Sequence, residues 1–366
     1  MKVFVVNTGS STIKLSLIEN LVTHAASTAA FGPTNDVTSL IRRFSEEAGP
    51  FDAVGHRIVH GGMLFTEPTV LTPGDEERLS AIAELAPLHN PQALSAVRAV
   101  HELIPGIPQV GCFDTSFHST LSPAASTYAI PRSWSERWGI RRFGFHGLSH
   151  AWASKRAATL MGRPLKELRI VVAHLGSGAS LAAVAGGRSV DTTMGYTPMD
   201  GLVMAKRPGS LDPGLVLWLA RRAEVGSLAE LEQAFEQESG LEGLAGTSDM
   251  RQVMQGAEEG SPDALLAYGV YLHRLVSHLG SMVAVMGGVD VLVFTGGVGE
   301  HSARLRADVA SRLQFLGISL DPVLNEDGRG DRLISSPSAT VATAVVEARE
   351  DLEIAGAVTR LLSGLL

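Results

Sequence analysis

One cysteine, Cys112, stands among 366 residues. A lone thiol excludes an intrachain disulfide framework and any cysteine-based metal site within one chain. In "VGCFDTSF" it reads as a small buried apolar side chain. Basic residues are also scarce relative to acidic ones, 30 against 38, and the net charge is -8. The basic stripe expected of a nucleic-acid binder is missing, so nucleic acid is not an expected partner. Long uninterrupted apolar runs are lacking too. The most apolar stretch, Leu275 to Gly297, holds His278, Asp290 and several glycines and is broken by "GGVD". It reads as a buried helix followed by a buried strand rather than as a membrane span. The first residues read as a strand, not as a basic-then-apolar leader. A cytoplasmic protein with no membrane partner is the expectation.

Apolar residues are plentiful, at 45%, and a chain of this length ordinarily makes two domains. Its 39 glycines often cluster at the ends of expected strands, where backbone can approach a ligand. Strands are expected at 3–7, 12–18, 53–59, 109–113, 169–174, 179–185 and 290–295. "TPGDEERLSAIAELA" opens with Thr72 and has Asp75 three residues on, a capping-box pattern. "NPQALSAVRAVHELI" offers Asn90 as cap with Pro91 at the first helical position, and Ser261 and Pro262 repeat the device. After them Leu265, Leu272, Leu275, Leu279, Met282 and Met286 recur at helical spacing and read as a core stripe. A last amphipathic helix is expected over about 347–362. Strands alternating with helices point to an α/β fold.

One device occurs twice. "VVNTGSSTIKLSLI" (5–18) and "VAHLGSGASLAAVA" (172–185) each run an apolar strand to a hydrogen-bonding side chain, Asn7 or His174. One residue, a Gly, a Ser and another small residue follow, and then a second strand. Such turns can converge backbone N–H groups on an anion, phosphate above all. Ser10 and Thr12 would add hydroxyls, and Lys14 a point charge. Neither turn is a Walker P-loop or a dinucleotide fingerprint. A third cluster, "FTGGVGEHS" (294–302), follows an apolar strand and precedes a helical pattern, the usual place for a nucleotide in α/β proteins. The duplication suggests two related lobes.

Charge gathers in other glycine-rich loops: Arg57 and His60 in "VGHRIVHGG", Asp114 in "GCFDTSFHS", Arg141, Arg142, His146 and His150 in "RRFGFHGLSH", Arg207 in "MAKRPGSLDPG". Loops that follow apolar strands are where functional residues concentrate. Phosphoryl transfer calls for this mixture: arginines to neutralise the moving group, a carboxylate or amide for Mg2+, a histidine as donor.

Taken together, "NTGSSTIK", "HRIVHGG", "APLHNP", "FDTSFH", "RRFGFHGLSH", "HLGSGAS", "SVDTTMGYTPMDGL" and "FTGGVGEHS" resemble, in their order, the motifs of acetate kinases, the acetate/propionate kinase family. The resemblance spans nearly the whole chain. It implies two actin-like (ribonuclease H-like) lobes of duplicated topology, with an N-terminal lobe of residues 1–118 plus 351–366 and a nucleotide-binding lobe of 119–350. It implies a reversible transfer from ATP to acetate or another short-chain carboxylate, with Mg2+ (or Mn2+), in a cytoplasmic homodimer. Asn7 and Glu350 would hold the metal. Ser10, Thr12 and Lys14 would lie in the first phosphate turn. Asp114 would be the catalytic carboxylate, Arg57 and Arg207 would bind the acid and the phosphoryl group, and His146 would support the transition state with His89 and His174 nearby. Val59, Leu88, Phe145 and Pro198 would enclose the acyl methyl. His174, Leu175, Gly176, Ser177 and Gly178 would hold nucleotide phosphates. Asp249, Met250 and Arg251, with Gly297, Val298, Gly299, Glu300 and His301, would surround the adenosine.

The chain also departs from the family pattern. Thr12 replaces a usual Ser, Ser177 an Asn, His301 an Asn, and Pro208 a Ser. "AREDLEIA" (348–355) replaces "TNEELxIA", so the place of Glu350 rests on the register of an altered motif. The stretch between the first hairpin and "GHRIVHGG" is shorter than is usual. The nucleotide end is altered more than the acyl end.

Overall fold

The structure, a computed structural model, describes residues 1–9, 12–30, 36–86, 89–326 and 328–364. Its described residues form two compact units. The first comprises Met1–Ser119, Phe145–Trp152 and Arg349–Leu366, and the second Thr120–Gly144 and Ala153–Ala348. Phe145–Trp152, placed in the second lobe by the sequence reading, thus packs with the first unit, as do Arg349 and Glu350.

The first unit is built on strands β1 (Lys2–Thr8), β2 (Thr12–Glu19), β3 (Val22–Ala30), β4 (Ala53–Ile58), β5 (Thr69–Val70) and β6 (Gln109–Phe113), in the spatial order β3-β2-β1-β4-β6-β5. Strands β1, β4 and β6 are parallel neighbours, and β2 returns antiparallel on β1. Side chains alternate across a strand, and here both faces are covered. Phe4 and Val6 pack with Leu40, Phe44, Ala96 and Val100 of the helices Val37–Ala48 and Asn90–Leu103. Val3 and Val5 pack with Ile354, Ala355 and Val358 of the final helix, Glu350–Leu362. Gly55 lets that helix lie close: a Cβ there would stand 2.5 Å from Ile354 Cγ2.

The second unit repeats the plan with β7 (Arg169–Leu175), β8 (Ala179–Ala185), β9 (Arg188–Thr192), β10 (Val291–Thr295), β11 (Arg332–Leu333) and β12 (Ala342–Val345), ordered β11-β12-β10-β7-β8-β9. The order is that of the first sheet, strand for strand, so the topology is duplicated. The helix Pro262–Met286 begins as expected, with the Ser261 hydroxyl accepting from the Ala264 N–H. Leu272, Leu275, Leu279 and Met282 are buried on it, but Leu265, assigned to the same stripe, is exposed. The buried face of the first turns is carried instead by Ala264, Ala267 and Tyr268, and Leu265 falls at its edge. Thr72 and Asp75 form the expected capping box. Asn90 is not a cap: His89 takes that place, and the Asn90 side chain instead bonds the His60 backbone in both directions. No helix among the described residues is long and apolar enough to cross a membrane.

Candidate active site

Strand alternation aims three polar residues at one place. Val3, Val5 and Asn7 share a face of β1, and Asn7 pairs with Arg57 across the parallel β1–β4 register. Asp114 follows the end of β6 on the same face as the buried Cys112. All three stand at the carboxyl ends of parallel strands, where α/β sheets bind ligands. The final helix packs on this face, and its first residue, Glu350, completes the group. The Arg57 Nε donates to Asp114 Oδ1 at 3.0 Å and Nη2 to Oδ2 at 2.6 Å, a bidentate pair. Arg57 Nη1 donates to Asn7 Oδ1 at 3.3 Å and lies 3.6 Å from Glu350 Oε2, while Asn7 Nδ2 donates to Glu350 Oε2 at 2.9 Å. Burial opposes the Arg57 charge, but the two carboxylates reverse it and hold its pKa above the ordinary value. Burial raises the Asp114 pKa, with Glu350 adding to the rise and Arg57 pulling against it.

His146 is delivered to this cluster by backbone strain. Its φ is +56°, a left-handed conformation uncommon in a residue other than glycine and typical of functional loops. The His146 N–H donates to the Asp114 carboxylate, and the Gly147 N–H donates to the Asp114 carbonyl at 3.0 Å. A Cβ at Gly147 would stand 2.0 Å from that carbonyl oxygen, so only glycine lets the loop pass there. Val59 and Phe145 are buried close by in the chain, and the Phe145 ring meets His60 edge-on at 5.4 Å. Lys14 stands opposite Asn7 in the β1–β2 register and is exposed; Thr12 accepts the Gly9 N–H at its carbonyl, 2.7 Å away. Ser10 and Leu88 lie outside the described residues.

Three buried histidines in this unit carry a pH dependence. Burial lowers His56, His60 and His118 from the ordinary 6.5 to about 4. Their unfolded counterparts take up protons first as pH falls. The stability they contribute is therefore complete above about 6.5 and is lost progressively toward about 4. Thermal melts across this window should show a midpoint falling with pH from 7 to 5. A midpoint that stays flat would contradict the burial of these neutral imidazoles.

In the second unit His174 and Thr295 occupy the places held by Asn7 and Arg57 in the first, paired across β7 and β10. The duplicated turn closes with the Gly176 N–H donating to the Gly178 carbonyl at 2.9 Å. A cavity of about 820 Å³ opens beside it, with Ser177, Asp249, Met250, Gly297, Val298 and His301 among its walls. Arg251 and Gly176 also line it, whereas Leu175 is fully buried, and the Glu300 carboxylate is spent on the Ala348 N–H. Gly299 is buried too, its carbonyl accepting from Arg306. Tyr271, Met254 and Leu241 also line the cavity and were not singled out in the sequence. Tyr271 and Met254 lie on helices whose apolar periodicity reads the same whether a side chain faces the core or a cavity.

Arg207 lies in the long loop after β9. Its Nη1 donates to the Pro198 carbonyl at 2.9 Å. Burial lowers its pKa, and Glu236 pulls more weakly upward. Among the described residues no carboxylate stands within ion-pair distance of it.

Residues 25–356 match the model of the Acetokinase family. A protein of Leifsonia xyli subsp. xyli (strain CTCB07), named acetate kinase, is 47% identical over 348 residues, 95% of this chain and 85% of that one. The crystal structure of Porphyromonas gingivalis acetate kinase superposes with a TM-score of 0.89 at 36% identity, covering 99% of each chain. A propionate kinase from Francisella tularensis subsp. tularensis SCHU S4 gives 0.89 at 34% identity, over 97% of this chain and 98% of that one. The pair of actin-like lobes expected from the sequence is therefore the architecture of this chain. With identity of this size along nearly the full length of its relatives, the chain belongs to the acetokinase family and is a kinase.

Proposed function

We propose that this kinase transfers the γ-phosphoryl group of ATP to the carboxylate of acetate, or of a similarly short acid, giving the acyl phosphate and ADP, and that it does so reversibly. The observation that supports this most is Arg207. A part-buried guanidinium with no carboxylate within ion-pair distance among the described residues costs free energy in the folded chain. That cost makes sense where an anion is to be received.

In the transfer, a carboxylate oxygen attacks phosphorus, the bond from phosphorus to the oxygen of ADP breaks, and ADP departs with that electron pair. The acid is already ionised at neutral pH, so no general base is needed. What the protein supplies is alignment and charge neutralisation. Arg57 and Arg207 act on the carboxylate and the phosphoryl group. His146 donates to the equatorial oxygens, with His89 and His174 as further donors. Val59, Phe145 and Pro198, with Leu88, take the methyl group. Asp114 fixes Arg57, and with Asn7 and Glu350 it would hold and orient the metal. Carboxylate and amide oxygens are the donors Mg2+ takes, so these three residues fit it. When bound, Mg2+ neutralises charge on the phosphate oxygens. The turn 174–178 takes the nucleotide phosphates, and the cavity beside it the nucleoside.

The polar side chains at that cavity are largely committed elsewhere. Arg251 pairs with Asp249 at 2.6 Å, Arg304 with Glu258, and His301 Nδ1 meets the Gly297 carbonyl at 2.8 Å. A base is then read mainly by shape, which discriminates by only about 10- to 200-fold. Trapping with hydroxylamine in the presence of Mg2+ should yield acyl hydroxamate from acetate with ATP. GTP and propionate should each follow within about 200-fold. Pyrophosphate, which leaves the cavity empty, should give little. No hydroxamate from any two- to four-carbon acid would remove the proposal.

A further inference from the structure

Residues 193–212, between β9 and the helix Pro213–Leu219, form no helix or strand. A loop of this length without secondary structure is uncommon and usually functional, and this one carries Pro198 and Arg207. Side chains other than these two hold it in shape. Arg142 Nη1 donates to three successive carbonyls at the start of the loop, Thr192 at 3.2 Å, Thr193 at 2.9 Å and Met194 at 2.9 Å. The same nitrogen lies 3.4 Å from Asp200 Oδ2. The other oxygen of Asp200 accepts the Ser210 hydroxyl at 2.6 Å and the Gly201 N–H at 2.8 Å. Below the guanidinium lies the Tyr128 ring, 5.7 Å away, whose hydroxyl accepts the Tyr196 N–H at 2.8 Å. The chain from 192 to 210 is thereby tied at its beginning, middle and end through one ion pair, and Arg207 sits inside the tied segment.

We propose that Arg142 and Asp200 are positioning residues for Arg207. Their pair fixes the loop, so the Arg207 guanidinium is held against the Pro198 carbonyl while its Nε and Nη2, which make no hydrogen bond among the described residues, stay directed at an incoming anion. The nucleotide side of the same loop has separate anchors. Met204, Lys206 and Ala205 carbonyls accept from the N–H groups of Leu241 at 3.0 Å, Ser239 at 3.1 Å and Glu242 at 2.9 Å, and the Ala205 N–H donates to the Ser177 carbonyl at 3.1 Å. Loss of the Arg142–Asp200 pair is therefore felt at Arg207 and hardly at the nucleotide. The inference rests on the role proposed for Arg207 above.

The test is a double-mutant cycle on the full chain, with Arg142→Met, Asp200→Asn and Arg207→Met made singly and Arg142→Met combined with Arg207→Met. Asp200→Asn keeps the shape of the side chain and serves if Arg142→Met fails to fold. In each, the KM for the acid, the KM for ATP and kcat are measured by hydroxamate release. Arg142→Met and Asp200→Asn should lower kcat/KM for the acid about 10- to 100-fold and leave the KM for ATP within about threefold. Millimolar guanidinium should restore part of the loss in Arg142→Met. In the Arg207→Met background, Arg142→Met should cost nothing further, because a residue acting through Arg207 has nothing left to position. Additive losses, or equal rises in both KM values, would overturn the positioning role and show a merely structural one. If Arg207→Met itself retains normal turnover, the role proposed for Arg207 fails instead, which separates the two readings.

Discussion

Arg207→Met is expected to remove most of the turnover while leaving the fold as stable as before, or more stable. Enzymatic and structural effects separate here because of how the guanidinium is held. Its recorded polar partners are the Pro198 carbonyl and the Met204 sulfur, and burial already pulls its pKa down. Folding therefore shields a charge partly from water with only neutral groups in hydrogen-bond contact and Glu236 farther off, which is unfavourable. Methionine has similar bulk and no charge, so the folded state loses one weakly satisfied cation. Toward an anionic substrate the balance reverses. Truncating one partner of a desolvated charge pair costs about 2–5 kcal/mol, or about 30- to 5,000-fold in kcat/KM. Steady-state kinetics and urea unfolding of the same preparation read both quantities. Near-normal turnover would refute the assigned role. A large drop in stability would show that the bond to Pro198 is what the arginine is for.

Asp114→Asn should behave in the opposite way, losing activity and stability together. Asp114 is 1% exposed, and both its oxygens are engaged by Arg57. The amide cannot balance the guanidinium, and breaking a buried pair by removing one charge costs about 3–5 kcal/mol. Glu350, 3.6 Å from the same arginine, softens the loss toward the lower end. Adding Arg57→Met to Asp114→Asn should then restore stability, because the orphaned cation is gone, without restoring turnover. Urea unfolding of the four proteins in the cycle gives the coupling directly. If Asp114→Asn unfolds at the same denaturant concentration as the parent, the pair is not the buried, mutually dependent one seen here.

The two arginines look alike in the sequence. Each stands in a glycine-flanked loop or strand end, and nothing local says that one is paired twice and the other is left without a carboxylate. The strands of the two hairpins, the duplicated turn, the Thr72–Asp75 box and the Ser261 cap are legible because they depend on neighbours a few residues away. So is the face of each strand, since alternation places Asn7 with Val3 and Val5 whatever the partner. Strand β3 was not legible: Val22–Ala30 is made mostly of small and polar residues that merely alternate between exposed and half-buried. Asn90 was misread because its pattern suits a cap, while its side chain is claimed by the His60 backbone 30 residues away.

By itself the sequence determined the α/β class, the doubled strand–turn–strand device and the list of residues able to carry phosphoryl-transfer chemistry, because backbone sterics and alternation act over short stretches. The tertiary structure alone decided which of them meet. Asn7 and Glu350 are 343 residues apart and share a hydrogen bond. Gly55 and Gly147 matter through what a Cβ would strike, Ile354 in one case and the Asp114 carbonyl in the other. Whether a charge is balanced, and whether a glycine is required, are properties of the space around a residue, and that space is assembled from distant parts of the chain.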